Sequence, residues 1–211
     1  MSGGVGRIIV SNDCVAEGAA WLAGIEPRFA EALHLTGPLP LRLRPDGFAA
    51  LLDAIMGQQV SVASARAIWQ RLEAAGLTHE EAVAVAEEEM LRQCGLSRQK
   101  IRYAKALAVA KIDYTALRDE PDVNVVRTLT EIPGIGSWTA EVYAMLSLGR
   151  ANVFAPGDLA LQEATRILFG LPERPTEREL RAMAENWQPW RSVAARLLWA
   201  YYRVMKNREG I

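Results

Sequence analysis

The chain has 211 residues, of which 50% are hydrophobic and 23% are charged. This length suffices for one large or two small domains with a substantial core, and the composition is typical of a globular protein in solution. Its apolar runs are too short to span a bilayer, and Met1–Val10 lacks the apolar core of a signal peptide. We therefore expect a cytosolic protein without a membrane partner.

Metal-binding residue types are scarce. The only cysteines are Cys14 and Cys94, and the only histidines are His34 and His79. A zinc site needs three or four such ligands, usually at short spacing, and an iron–sulfur cluster usually needs four cysteines. We therefore expect neither zinc nor an iron–sulfur cluster.

Charge is unevenly distributed along the chain. The net charge of −1 counts mildly against a nucleic-acid partner. However, residues 91–111 carry six bases and no acid, residues 79–89 carry five acids and no base, and residues 191–211 carry five bases and one acid. This pattern allows a basic surface that faces a polyanion, although ordinary solvated helix faces are the simpler explanation when the charges are taken alone.

Helical signals dominate in chain order. The predicted helices are 47–56 after Asp46, 61–75 with Ser61 as N-cap, 79–93, 98–110, 124–131 capped by Asn124, 137–148 capped by Ser137, 158–170 from Asp158, one opened by a Thr176–Glu179 capping box, and 189–205. The one short strand candidate, 39–43, contains a proline.

The predicted class is all-α, in two helical lobes. We expect residues 47–147 to form one lobe. We expect the N-terminal segment 1–46 to pack with the C-terminal lobe 148–211, which begins with the loop before Asp158.

The most informative stretch is Ile132-Pro133-Gly134-Ile135-Gly136-Ser137, between two predicted helices. Pro133 ends the first helix, and the two glycines allow a tight turn with a bare backbone. The first amides of the next helix lack internal partners and suit a phosphate. The alternative is a simple glycine turn. A dinucleotide-binding motif is excluded because Thr139 occupies its third glycine position and no strand precedes it.

This stretch resembles the helix-hairpin-helix DNA-binding motif. The resemblance implies phosphate contacts at Gly134, Gly136 and Thr139. It also implies a Na⁺ or K⁺ ion held by backbone carbonyls, which by position would be those of Thr130, Ile132 and Ile135.

Asp158 follows the hairpin after a Pro156-Gly157 pair. An Asp at a helix start is by itself explained as an N-cap. Combined with the hairpin, residues 47–202 resemble the helix-hairpin-helix (HhH-GPD) DNA glycosylase superfamily, and most closely its 3-methyladenine DNA glycosylase II type. The resemblance implies that Asp158 is catalytic, as a carboxylate that stabilises positive charge on the sugar or activates water.

Trp138 stands where bifunctional members of this superfamily carry a lysine that attacks the sugar. Without an amine there, we expect no Schiff base and a monofunctional enzyme that uses water and has no lyase activity.

Tryptophans mark the expected base pocket. The segment Trp187-Gln-Pro-Trp190-Arg-Ser resembles a signature of the type, with both tryptophans packing in the core. By register, Trp138 and Trp199 line the base pocket, although the plain alternative for a helical Trp is core packing. An indole face attracts the positive charge of an N-alkylated purine.

Two positions depart from the type. Val142 and Leu159 replace tyrosines near the pocket, which predicts a roomier or more apolar site.

The turn Gly57-Gln-Gln59-Val-Ser61 resembles the loop that carries the intercalating residue, and register places Gln59 in that role. A polar turn before the N-cap is the alternative.

The expected function is therefore a monofunctional DNA glycosylase for alkylated bases of the 3-methyladenine and 7-methylguanine type. Its partner is double-stranded DNA with a damaged base. We expect a monomer with no required cofactor, nucleoid-associated if the source is bacterial. Two alternatives stay open: another lesion, such as uracil, hypoxanthine or an oxidised purine, and a non-catalytic DNA-binding module.

Overall fold

The computed structural model describes residues 5–208. Residues 1–4, within the segment in which no signal peptide is expected, and residues 209–211 of the basic C-terminal stretch lie outside the described residues. The helices are α1 Asn12–Ile25, α2 Pro27–Thr36, α3 Phe48–Gly57, α4 Val62–Ala74, α5 Glu80–Val85, α6 Glu88–Gln93, α7 Arg98–Val109, α8 Tyr114–Leu117, α9 Asp122–Thr130, α10 Ser137–Leu146, α11 Leu159–Phe169, α12 Glu177–Ala184 and α13 Arg191–Arg208.

This architecture confirms the all-α prediction. Over residues 5–208 the only β-type pairing is an isolated antiparallel bridge between Ile8 and Arg150. None of the described helices is long and apolar enough to cross a membrane.

The chain folds as two compact units. The first consists of Met1–Leu43 and Ala144–Ile211, and the second is Arg44–Tyr143. In the first unit α13 packs against α1, α2 and α11. In the second unit α7 packs against α3, α5 and α6.

Aromatic side chains fill the core of the first unit. Trp187 makes edge-to-face contacts with Phe29 and Phe154, with ring centroids 5.3 and 5.4 Å apart. Trp187 and Trp190 are each 3% exposed, which confirms that both pack in the core. Such aromatic pairs contribute about 0.5–1.5 kcal/mol beyond the area they bury.

A buried arginine holds segment 39–43, which the sequence suggested as a short strand. Residues 39–43 form no regular element. Instead the Arg196 side chain, fully buried on α13, donates to the carbonyl oxygens of Leu41 at 3.0 Å and Ser192 at 2.9 Å. Desolvation, followed by the nearby charge of Arg42, lowers the pKa of Arg196 to about 10. The guanidinium is therefore still charged at neutral pH, and its hydrogen bonds offset the cost of burying it.

One predicted helix is interrupted. The sequence predicts a single helix over 79–93, but α5 ends at Val85 and α6 begins at Glu88, because Ala86 and Glu87 are extended. The Lys105 ammonium from α7 donates to the carbonyls of Ala84 and Ala86 and satisfies the end of α5. A tertiary contact thus replaces the hydrogen bonds of a continuous helix.

The helix caps are partly as predicted. Asn124 is not an N-cap: α9 starts at Asp122 after Pro121, whose fixed φ suits a helix start, and the Asn124 side chain donates to Glu120 at 2.7 Å. Ser61 does cap α4, since its hydroxyl accepts the amide of Ser64 at 3.2 Å. The predicted capping box between Thr176 and Glu179 is present at the start of α12.

Candidate functional site

The hairpin lies between α9 and α10 in the second unit. Gly134 has φ +96°, and a Cβ there would lie 2.4 Å from Cγ of Tyr103, so both its conformation and its packing require glycine. Gly136 differs, because no described atom lies within 4 Å of a Cβ built on it. The turn itself therefore does not require a glycine at 136, whereas a close approach to the backbone at the start of α10 would.

The turn that joins α3 to α4, Gly57–Ser61, is here called the wedge turn. It borders the hairpin across a groove of about 680 Å³ within the second unit. The groove brings together these residues singled out in the sequence: Gln59, Thr130, Ile132, Gly134, Ile135 and Gly136. Trp138 and Thr139 do not line it. Thr139 is only 6% exposed, so a phosphate contact there would fall to its backbone amide.

Two long-range hydrogen bonds hold the wedge turn. The Gln58 side-chain amide donates to the carbonyl of Gly134 at 2.8 Å. The buried Lys100 ammonium donates to the carbonyl of Met56, in the last turn of α3, at 2.6 Å. Directly after these anchors, Gln59 is exposed and has φ +57°, an uncommon conformation for a residue other than glycine. Gln59 is the residue of this turn that the sequence singles out, whereas the anchoring roles of Gln58 and Lys100 were not predicted.

Asp158 caps α11 in the first unit. Its Oδ1 accepts the amides of Ala160 at 2.9 Å and Leu161 at 3.0 Å. Both capping bonds use the same oxygen, so the cap fixes the orientation of the carboxylate and Oδ2 takes no part in it. The side chain is half-buried, and Gln162 secures the preceding loop by donating to the carbonyl of Pro156 at 2.8 Å.

The two tryptophans expected in the base pocket differ in their surroundings. Trp138, at the second position of α10, is 44% exposed. Trp199 is half-buried on α13, and the guanidinium of Arg42 lies 5.5 Å from its ring centroid. Of the two positions that depart from the type, Val142 is half-buried and Leu159 is 65% exposed. Neither tryptophan packs as a fully buried core residue.

The basic stretch 91–111 is less available than its composition suggests. Lys100 and Lys105 donate to backbone carbonyls inside the second unit, and Arg92 pairs with Glu89 at 3.0 Å. Arg98 and Arg102 are exposed on α7. Only part of this charge can therefore meet a polyanion.

A helical fold with a glycine hairpin followed by a capped aspartate defines a class of DNA repair protein. The chain belongs to the HhH-GPD superfamily of base excision DNA repair proteins, whose family model matches residues 52–190. Among curated relatives, DNA-3-methyladenine glycosylase 1 of Schizosaccharomyces pombe is 28% identical over 190 residues, which cover 84% of this chain and 83% of the relative.

Solved structures show the same likeness. A DNA-3-methyladenine glycosidase from Bacillus halodurans is 30% identical and superposes with a TM-score of 0.82, covering 90% of this chain and 91% of that one. A 3-methyladenine DNA glycosylase of S. pombe, solved in complex with abasic DNA, is 29% identical with a TM-score of 0.75. That match covers 87% of this chain and 95% of the other.

Proposed function

We propose that this protein is a monofunctional DNA glycosylase that hydrolyses the N-glycosidic bond of alkylated bases in double-stranded DNA. The observation that carries the proposal is the Asp158 carboxylate, held through Oδ1 at the start of α11 in a chain of the HhH-GPD superfamily. Relatives that match most of the chain are named for 3-methyladenine.

The chemistry needs a fixed anion. Cleavage of a base–sugar bond builds positive charge on the sugar, and a preorganised carboxylate stabilises that charge without having to reorient. The capping amides hold Asp158 in one orientation, and the dipole of α11 favours its negative charge. Water is the nucleophile in this proposal, because Trp138 replaces the attacking lysine.

The substrate follows from the tryptophans. N-alkylated purines carry positive charge, and an exposed or half-buried indole attracts a cation by about 0.5–2 kcal/mol. Trp138 and Trp199 are proposed as the stacking surfaces for the flipped base. The glycosidic bonds of alkylated purines are already weakened, so the site needs little hydrogen-bond readout to select such bases.

DNA binding is assigned to the hairpin and the wedge turn. The amides at the start of α10, from Gly136 to Thr139, would hold a phosphate, and Gln59 would fill the gap left by the flipped base. Neutral carbonyl oxygens at the hairpin suit a Na⁺ or K⁺ ion. The carbonyl of Ile132 already accepts the amide of Ile135 at 3.0 Å, which leaves it one lone pair for an ion. The proposed working form is a monomer with no other cofactor.

A panel of lesion-bearing duplexes tests the proposal. Single-turnover assays would compare 3-methyladenine, 7-methylguanine, hypoxanthine, uracil and an oxidised purine, with Asp158→Asn as the control for loss of the proposed catalytic carboxylate. We expect the alkylated purines to be released fastest. Preferential release of another lesion would change the substrate class. Tight DNA binding without release of any base would favour a non-catalytic binding module.

A further inference from the structure

Arg42 is held in an unusual conformation beside Trp199. Its φ is +55°, in the left-handed region that side chains other than glycine rarely adopt. Its half-buried guanidinium lies 5.5 Å from the centroid of the Trp199 ring, within cation–π range. A strained backbone persists where its surroundings fix it, and such strain clusters at functional sites.

The surroundings that fix Arg42 are visible in the first unit. The carbonyl of the preceding residue, Leu41, accepts a hydrogen bond from the buried Arg196 at 3.0 Å. Arg196 and Trp199 lie three residues apart on α13, so they share one side of that helix. The positive charge of Arg42 is close enough to lower the pKa of Arg196. The hydrogen bond from Arg196 to Leu41 therefore fixes the backbone next to Arg42, whose guanidinium lies beside the Trp199 ring.

A base that stacks on Trp199 meets this positive charge. A cationic purine competes with Arg42 for the electron-rich ring and is repelled by it, since both carry the same sign of charge. A neutral base with a carbonyl oxygen meets no such repulsion, and its oxygen can accept a hydrogen bond from a guanidinium. Because of Arg42, stacking on the Trp199 ring is therefore less favourable for a cationic base than for a neutral one.

We propose that Arg42 is a specificity-determining residue that shifts the base pocket from cationic towards neutral lesions, through its position over Trp199. This inference rests on the proposed glycosylase function. It separates two contributions to selectivity: the tryptophan favours charged bases and the arginine opposes that preference. A DNA glycosylase arranged in this way is broader in its lesion range than one with a bare indole.

The test compares excision of a cationic and a neutral base by the full-length protein. Duplexes with one 7-methylguanine or one hypoxanthine are cleaved under single-turnover conditions at saturating enzyme, and the ratio of the two rates is measured. Arg42→Gln removes the charge while keeping an unbranched side chain at the strained position. We expect the ratio of cationic to neutral excision to rise by about two- to thirtyfold, the factor that corresponds to one cation–π contact.

Three further variants sharpen the test. Arg42→Lys keeps the charge and should leave the ratio near the wild-type value. Arg28→Gln is the matched control, because Arg28 lies 4.6 Å from the Phe169 ring, which is not proposed as a base-stacking surface, and it should also leave the ratio unchanged. Arg42→Met replaces the glutamine variant if thermal melting shows that Arg42→Gln does not fold.

The outcomes distinguish a failure of the Arg42 proposal from a failure of the glycosylase function on which it rests. If the wild type releases no base, the glycosylase proposal fails. If the wild type releases bases but the ratio stays constant or falls in Arg42→Gln, or in Arg42→Met where it replaces the glutamine variant, the role of Arg42 is overturned. An equal rise in Arg28→Gln, or a wild type that releases cationic bases and no neutral one, overturns it as well.

Discussion

Asp158 has a structural role as the cap of α11 and a proposed chemical role, and one substitution can separate the two. Asparagine is nearly isosteric and keeps a side-chain oxygen for the two amides that Oδ1 now accepts. We expect Asp158→Asn to leave the melting temperature almost unchanged and to hold or raise DNA affinity, because the substitution removes a negative charge from a protein that binds a polyanion. Excision of a neutral lesion should fall at least about a hundredfold, the scale of losing one preorganised electrostatic group.

The measurement is single-turnover excision with circular dichroism on the same preparation. Bases that leave readily, such as 7-methylguanine, should retain more activity, since their bonds need less help. A folded asparagine variant with wild-type rates on a neutral lesion would reduce Asp158 to a helix cap.

Trp138 makes a second prediction at this scale. With an indole at the second position of α10, no amine stands where a Schiff base would form in bifunctional relatives. Base release should therefore leave an intact abasic strand, and borohydride added during turnover should trap no protein–DNA adduct. A covalent adduct above the background of Asp158→Asn would contradict the monofunctional assignment.

The contacts of single residues could be predicted when their partners are close in the sequence. The cap at Asp158 depends on amides two and three residues away, so the local pattern reveals it. Gln58 was missed because its partner, Gly134, is 76 residues distant, and Arg196 binds Leu41 across 155 residues. No spacing rule reports such pairs. The catalytic and DNA-binding roles themselves came from a family resemblance.

The helices show the same limit. Most helix starts agree with local capping signals, as Ser61 and Thr176 illustrate. The predicted helix over 79–93 failed because the ammonium of Lys105, which arrives from another helix, satisfies the end of α5. Periodicity finds helices, whereas tertiary hydrogen bonds decide where some of them stop.

The wedge turn gives a prediction about base flipping. Gln59 is exposed and strained, while Gln58 and Lys100 anchor the chain beside it. Gln59→Ala should lower single-turnover excision most for stably paired lesions, because a filled gap matters most where extrusion costs a few kcal/mol. Lesions in mismatches or single strands should be affected less.

Gln58→Ala is the matched control for this test. It removes the bond from the turn to the hairpin without removing the side chain proposed to enter the duplex. We expect it to weaken excision of paired and mismatched lesions to a similar extent. If Gln59→Ala gave that same uniform loss, Gln59 would support the turn and would not act as a wedge.

Over the whole molecule, the distribution of charge sets the response to salt. The net charge is −1, and several bases of the 91–111 stretch are engaged inside the second unit. If hairpin amides and a few exposed bases neutralise the DNA, log Kobs should fall with log salt by about 0.9 per phosphate, giving a slope of about −3 to −5. Fluorescence anisotropy over a range of KCl concentrations measures it, and an affinity independent of salt would remove DNA as the partner.

Two variants locate the charges that matter. Arg98 is exposed on α7, so Arg98→Gln should make the slope shallower by about 0.9 if that residue meets a phosphate. Lys105 donates to the carbonyls of Ala84 and Ala86, so Lys105→Gln should lower the melting temperature and leave the slope unchanged.

The division into units also affects how the chain folds as it is synthesised. The second unit is continuous, so it can fold once its own residues have left the ribosome, whereas the first is assembled from the two segments that flank the second. Phe29, fully buried in the finished protein, packs against Phe169 and Trp187. Until those two aromatic residues emerge, α2 presents this apolar side chain to solvent. The first unit, which contains Asp158, is therefore completed after the second, and until then it is the part of the nascent chain on which chaperones would act.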